Sequence, residues 1–500
     1  MKNKKTLYLV FVVIICISLL PFIQKKVNNI KEKKKLTDTN IVKNAPPVVA
    51  FTTIALGGFR GLLADILWLR TISLQRQGKY IEMAQLASWI SKLQPRFTGA
   101  TVFLAWNMAY NISITYSEPK KKWRWVKNGM NLIRDSIKYN PGSPILFKEL
   151  SWIYINKIGG SRDYANLYFK TQLAIQIEKI SGKKNLDINS LYKISEEIKT
   201  NPDIISDIQI RLKKLKDLNC NSLDKLLHYL KKHGTIPSII SDKFTKEEIK
   251  IAIGYFKIKM LKNELSMDIN SMHQIYEIFG DIDWRLSQTQ ALYWIMQAIK
   301  IAPENNEYKS IQNIIFLNFI SNGTLLLLDK SDYNNFTTYP NFNAMSKIKN
   351  YLQNSKKKKI YLNFLDTCIP ILYNHGKYKE AKLYLKEAAE KLDNNKYSAI
   401  NIQQYMNYYW KDYLIYFNKS QVVNLIDKQI SIGYILYALD KKKVSNTQFK
   451  LVDSIYQNYR NVQPTVKLPE YKNELNKVLL EIKERLPAKL AKKLNFSLDN

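Results

Sequence analysis

The sequence predicts an all-α chain in which paired helices form an irregular solenoid behind an N-terminal transmembrane helix. Three observations carry that expectation. The N-terminus holds an uncharged apolar run, helical periodicity fills almost all of the rest of the 500 residues, and two glycine-centred turns of the same type recur at Gly78 and Gly376.

Residues 6–23 contain no charge. At about 1.5 Å per residue they reach most of the way across a hydrocarbon core of about 30 Å. No small-x-small cleavage site follows, since Pro21-Phe22-Ile23-Gln24-Lys25-Lys26 suits signal peptidase poorly, and Ile14 and Ile15 exclude Cys16 as a lipoprotein cysteine. The run is therefore expected to stay on the protein, as an anchor over residues 1–24 followed by a basic linker over 25–47. Lys25, Lys26, Lys31, Lys33, Lys34 and Lys35 follow the span, against Lys2, Lys4 and Lys5 before it, and a positive-inside count keeps the body in the cytoplasm. Lysine is abundant everywhere in the chain, however, and a short basic head before an apolar run also reads as an uncut secretory signal. The expectation is a body outside the cytoplasm.

The first soluble helix is expected over residues 62–77, after Gly57-Gly58-Phe59-Arg60-Gly61. Leu62, Ile66, Leu69 and Ser73 share its principal face, and the helix is a candidate to touch the membrane surface. A second span here would bury Arg60 and Asp65 in lipid with only each other as partners, which excludes it. Further helices are expected at 80–93, 98–116, 122–139 and 143–157, with turns at Pro95, Glu118-Pro119, Pro141-Gly142 and Gly159-Gly160. The middle of the chain reads as helix at 203–218, 222–232 and 246–265, without strand signals. Beyond Glu307, helices alternate with polar loops such as 329–343, and the last helix occupies 468–486.

Gly78-Lys79-Tyr80 is followed by Ala84, Ala87, Ile90 and Pro95; Gly376-Lys377-Tyr378 is followed by Ala381, Leu385 and Ala388. Glycine permits a tight turn, small residues let two helices approach, and proline ends the second helix. This is how the second half of a tetratricopeptide repeat reads. Gly129–Pro141 and Ala291–Pro303 keep part of the pattern, and each of these windows alone also fits an ordinary helical hairpin. Pro95 and Pro141 stand 46 residues apart, where a regular array needs about 34. Any solenoid is irregular.

The formal charge of +35 invites a polyanion partner, but 66 of the 77 basic residues are lysine and only 11 are arginine. Bidentate recognition of phosphate and base edges favours arginine, so no specific nucleic acid is expected. Against that lysine background, residues 57–162 hold seven of the eleven arginines and six of the nine tryptophans. Aromatic and guanidinium groups pack well together, and they also dominate interface hot spots. The candidate interaction surface is Arg60, Asp65, Trp68, Arg70, Arg76, Trp106, Trp123, Arg124 and Trp125, with Gly78, Tyr80, Gly376 and Tyr378 as the repeat turns.

Catalytic constellations are missing. His228, His233, His273 and His375 are scattered; His273 and Glu277 share a helical face without further metal ligands; Cys220 and Cys368 read as buried free thiols; Gly182-Lys183-Lys184 lacks the earlier glycine of a phosphate loop. Asp281 and Asp283 read as a helix cap. No cofactor or metal is expected.

The stretches LGGFRGLLADILWLR, LQRQGKY, WISKLQPRF, LAWNMAYNIS, WRWVKNGMNLIRD, KYNPGSPILFKELSWIYINKIG and GDIDWRLSQTQALYW resemble a family of uncharacterised bacterial membrane-anchored proteins with tetratricopeptide-like repeats. The resemblance covers about residues 50–175 and 280–303. It implies a helical body behind an anchor in the bacterial inner membrane, and it attaches no activity. Leu286-Ser287-Gln288-Thr289-Gln290-Ala291 stands where that family has Leu-Pro-Glu-x-His-Ala, so a histidine-dependent role is lost there. The domains expected are the anchor, the linker, a repeat-like segment at 48–175, a lysine-rich helical insertion at 176–279 and a second repeat-like segment at 280–500. The function expected is that of a membrane-tethered scaffold for protein partners, contacting the bilayer through residues 6–23. The alternatives are an envelope enzyme with a site dispersed over 57–162, and a lysine-based binder of anionic surfaces.

Overall fold

A computed structural model describes residues 25–26, 59–94, 96–182, 185–214, 221–233, 240, 243–328, 336–354, 358–391 and 401–494. The expected span at 6–23 lies outside them. Among the described residues no helix is long and apolar enough to cross a membrane. Among the described residues the fold is all-α apart from one short pair of strands. Contacts divide the chain into two units, residues 1–107 with 135–141, and residues 108–134 with 142–500.

In the first unit, α1 (Phe59–Arg76), α2 (Tyr80–Leu93) and α3 (Thr98–Trp106) surround a small core of Ala64, Ile90 and Ala100. Trp68 meets Phe97 and Phe103 edge-on, at 5.5 and 4.9 Å between ring centres. The turn between α1 and α2 is made by Gly78 at φ +71°. The apolar face that Leu62, Ile66 and Leu69 share is not the buried face of α1. Ala64, Thr71 and Leu74 point inward, while Leu62, Ile66 and Leu69 are 56, 56 and 68% exposed. Small residues allow α2 to approach closely, and the Thr71 hydroxyl is satisfied by donating to Leu67 O at 2.8 Å.

A π-helical turn, Asn107–Ile112, follows α3. In the second unit, α4 (Pro119–Tyr139) and α5 (Pro144–Trp152) come next, and α5 continues into a second π-helical turn, Ile153–Ile158. Then come α6 (Asn166–Ser181), α7 (Ile188–Thr200), α8 (Asp203–Lys213), α9 (Leu223–His233), α10 (Lys246–Leu265) and α11 (Ile269–Phe279). α8, α9 and α10 share a core of Ile208, Leu212, Leu226 and Phe256, to which Ile240 and Phe244 belong. Thr245 and Glu248 close a capping box at the start of α10, a device whose loss costs about 1 kcal/mol.

α12 (Ser287–Ile301) packs on α5, which precedes it by more than a hundred residues. Ser151 Oγ donates to Ala291 O at 2.8 Å, Phe147 stacks on Trp294 at 6.0 Å, and a Cβ on Gly159 would stand 2.8 Å from Ser287 Oγ. The two stretches that carried the family resemblance are thus neighbours here.

After α13 (Asn306–Asn322) the chain forms β1 (Thr324–Leu327) and β2 (Phe336–Tyr339), paired antiparallel with Thr324 opposite Tyr339 and Leu327 opposite Phe336. This corrects the expectation of a polar loop at 329–343. Phe336-Thr337-Thr338-Tyr339 is aromatic and β-branched throughout, which suits a pleated surface. The remaining helices are α14 (Phe342–Gln353), α15 (Lys358–Asn374), α16 (Tyr378–Lys391), α17 (Ile402–Leu414), α18 (Lys419–Ala438), α19 (Lys442–Val462), α20 (Tyr471–Arg485) and α21 (Ala488–Ala491). α15 pairs with α16 across Gly376 at φ +74°, and α18 pairs with α19. A Cβ on Gly433 would approach Phe449 to 2.9 Å, and Ser445 Oγ donates to Gly433 O at 2.8 Å, so glycine sets how closely those two helices lie.

Candidate binding groove

Most candidate surface residues are accessible, and they are divided between the two units. Asp65, Arg70 and Arg76 are exposed along α1, and Trp106 is 39% exposed at the end of α3, all in the first unit. Arg124 is exposed on α4 in the second unit, where Trp125 stacks on Tyr116 at 6.4 Å. Trp123 is corrected to a packing residue. It is 7% exposed and stacked on Phe169, because α6 covers that face of α4. Trp68 is half-buried in the first core, and the side chain of Arg60 lies outside the described residues. Tyr80 is half-buried behind its turn and Tyr378 is 44% exposed, with its ring against Tyr373 at 5.0 Å.

Charge has been drawn into the interior of the second unit. Asp163 accepts from Lys157 at 2.8 Å and Lys122 at 3.2 Å, and its Oδ1 also takes the Ala165 N–H. Burial would raise its carboxyl, but these donors outweigh burial and hold it below the usual carboxylate range. Arg285, itself mostly covered, is held by Asp283 at 2.7 Å and by Glu178 at 3.0 Å, and both carboxylates are buried. Asp283 therefore does not cap α12, as the sequence suggested; its side chain is committed to Arg285. Between the two π-helical turns, Tyr110 Oη donates to Asn156 Oδ1 at 3.2 Å, and Lys157 Nζ lies 5.5 Å from the Tyr110 ring centre. Glu149 is buried beside Lys148, and burial pushes its carboxyl up despite that neighbour. These groups tie α4, α5, α6 and the approach to α12 together.

The open feature lies further along the same unit. A cavity of about 450 Å³ is bounded by β2, the end of α15 and α18, with Trp410 of α17 and Arg485 of α20 also lining it. That volume lies within the range of ligand pockets. None of its lining residues is acidic, while Lys428 and Arg485 are basic. His375 also lines it. Its Nδ1 meets Ile371 O at 2.7 Å, so that nitrogen carries the proton, and burial lowers the basicity of the ring so that it stays neutral. Tyr339 stands edge-on to His375 at 5.2 Å, with Lys441 Nζ 5.2 Å from the centre of the Tyr339 ring, and burial pushes its hydroxyl up to about 12. Asn374 contributes a buried Oδ1 without a hydrogen-bond partner among the described residues, while its backbone carbonyl accepts from Gln448 Nε2 at 3.0 Å.

Sequence reasoning discounted His375 as one of four scattered histidines and did not reach Tyr339, Trp410 or Lys428. The one signal available was the adjacency of His375 to the Gly376 turn, because residues beside a helical turn face the end of the next hairpin. Among the described residues the architecture is all-α apart from the β1–β2 pair. No protein-family model, no curated protein and no solved structure matches the chain.

Proposed function

We propose that the chain is a membrane-tethered scaffold, built of tetratricopeptide-like helical pairs, that binds partner proteins and assembles an envelope complex. The observation that carries the reading is the cavity between β2, α15 and α18, bordered by a helical pair turning at Gly376. Tethering is supported by the uncharged run at 6–23 and by the apolar stripe Leu62, Ile66 and Leu69 that α1 leaves exposed.

The test places a photo-crosslinking amino acid at Ser431, which lines the cavity, and at Lys450 on α19 as a control, in the full-length chain in its own cells. A discrete crosslinked protein at Ser431 and none at Lys450 is expected. Absence of any crosslinked protein would end the scaffold reading. The membrane part is checked separately: the chain should resist carbonate extraction and keep residues 6–23, and a mature N-terminus near residues 24–30 would overturn it.

A further inference from the structure

The β1–β2 pair is out of place in a helical protein. A two-stranded ribbon of four residues a side is marginal alone, so something must hold it. β1 is held by Leu325, which is buried with Ala174 and Leu286, and Phe336 of β2 packs against the same cluster. Thr338 Oγ1 donates to Asn322 Oδ1 at 2.8 Å. The ribbon is therefore fixed at one side and along one face.

Its other side borders the cavity. Successive strand residues point to opposite faces, yet Phe336, Thr337, Thr338 and Tyr339 all line the space, and no residue of β1 does. A space lined by every residue of one strand, whichever face its side chain takes, and by none of the partner strand lies along that strand's free edge. Among the described residues, no backbone hydrogen bond from another element reaches β2 on that edge. An open edge is a template for another strand.

Charge selects what fits. Lys428 lines the cavity and has no carboxylate partner among the described residues. Lys170 on α6 is close enough to feel it, and burial together with the Lys428 charge lowers the basicity of its ammonium. Two ammonium groups, those of Lys428 and Lys170, thus stand near one another here. Trp410, 5% exposed, adds an aromatic wall.

We propose that β2 accepts an extended, acidic segment of a partner protein as a third strand, with Lys428 receiving a carboxylate side chain of that segment. At about 3.4 Å per residue, β2 offers a ladder for roughly four residues of the guest. Main-chain hydrogen bonds to the edge set the direction and register of the segment, and the carboxylate selects among sequences that pair. The inference rests on the scaffold reading and names the chemistry of its partner.

The test pans a phage-displayed library of random twelve-residue peptides on the full-length chain in detergent, then measures the enriched sequence as a labelled synthetic peptide by fluorescence anisotropy. Enriched peptides should share an acidic residue within an alternating β-branched or aromatic stretch. Lys428→Glu should weaken binding by about tenfold or more. Methylating alternate backbone nitrogens of the peptide in one register should weaken it similarly, and in the other register should leave it unchanged. Lys428 is exposed on α18, and an unchanged circular dichroism spectrum shows that the variant folds. No enrichment, or binding indifferent to both Lys428→Glu and methylation, overturns the proposal. If the crosslinked protein at Ser431 survives Lys428→Glu while the peptide result fails, the scaffold stands and the strand-addition inference falls; if no protein crosslinks to the wild-type chain, the scaffold itself falls.

Discussion

Arg285 holds a position where removal of one group strands two others. Asp283 and Glu178 are both buried against its guanidinium, and a buried carboxylate without a counter-charge is costly. Arg285→Met, which keeps much of the volume, should destabilise the chain by about 3–5 kcal/mol, read as a lower urea midpoint; a loss below about 1 kcal/mol would show that water reaches the site. His375 acts in the opposite sense. Burial holds its folded-state pKa below the ordinary value near 6.5, so the unfolded chain takes up a proton first as pH falls. The stability it contributes is complete above about pH 6.5 and is lost as pH falls below that value. Melting temperature measured at pH 7.5, 6.5 and 5.5 should therefore drop at the acid end, and His375→Gln should flatten the drop. None of this was legible from neighbouring residues. Asp283 next to Trp284 reads as a helix cap because the sequence does not reveal that Glu178 and Arg285 meet.

At the level of elements, glycine turns and continuous periodicity were legible, and interruptions were not. The helices 80–93 and 246–265 fall where periodicity puts them, end to end. The helices expected at 98–116 and 143–157 instead pass into π-helical turns at 107–112 and 153–158. A single extra residue per turn leaves the hydrophobic period almost unchanged, so the pattern hides it. The buried face of α1 was not legible, because leucine and isoleucine outweigh alanine in any periodicity count, whereas close packing favours Ala64. Gly78 and Gly376 share a left-handed backbone but differ in surroundings. Nothing lies within 4 Å of a Cβ at Gly78, while at Gly376 it would meet Thr447 Oγ1 at 3.2 Å. Gly78→Ala should cost about 1 kcal/mol for the backbone alone, and Gly376→Ala should cost more. Thr447→Ala should recover the excess in Gly376→Ala, and equal losses at the two glycines would show that Thr447 moves aside.

Across the whole molecule, the organising fact is a long excursion whose ends meet. Asn185 Nδ2 donates to Asp281 Oδ1 at 3.1 Å and to Ile282 O at 3.0 Å, and its Oδ1 accepts from Trp284 N at 2.9 Å. One side chain thus fastens the point where the lysine-rich segment leaves to the point where it returns. Asn185→Ala should cost about 1–3 kcal/mol by orphaning buried backbone groups, and hydrogen exchange at the Trp284 amide should speed up before exchange in α18 does. Uniform acceleration across both would mean that the closure is not local. The sequence marked the excursion by composition, lysine and isoleucine replacing tryptophan and arginine, but not the asparagine that closes it.

The pairing of α5 with α12 also fixes an order in time. Ser151 and its acceptor Ala291 are 140 residues apart, which at about 5–20 residues per second is roughly 7–28 s of synthesis. For that interval the inner face of α5, with Phe147 and Ser151, has been made while the helix that covers it has not. Protease challenge of ribosome-bound chains should find α5 accessible when synthesis halts at residue 280 and protected when it halts well past residue 340. The inner face of α5 is thus closed only once a helix made well over a hundred residues later has left the ribosome.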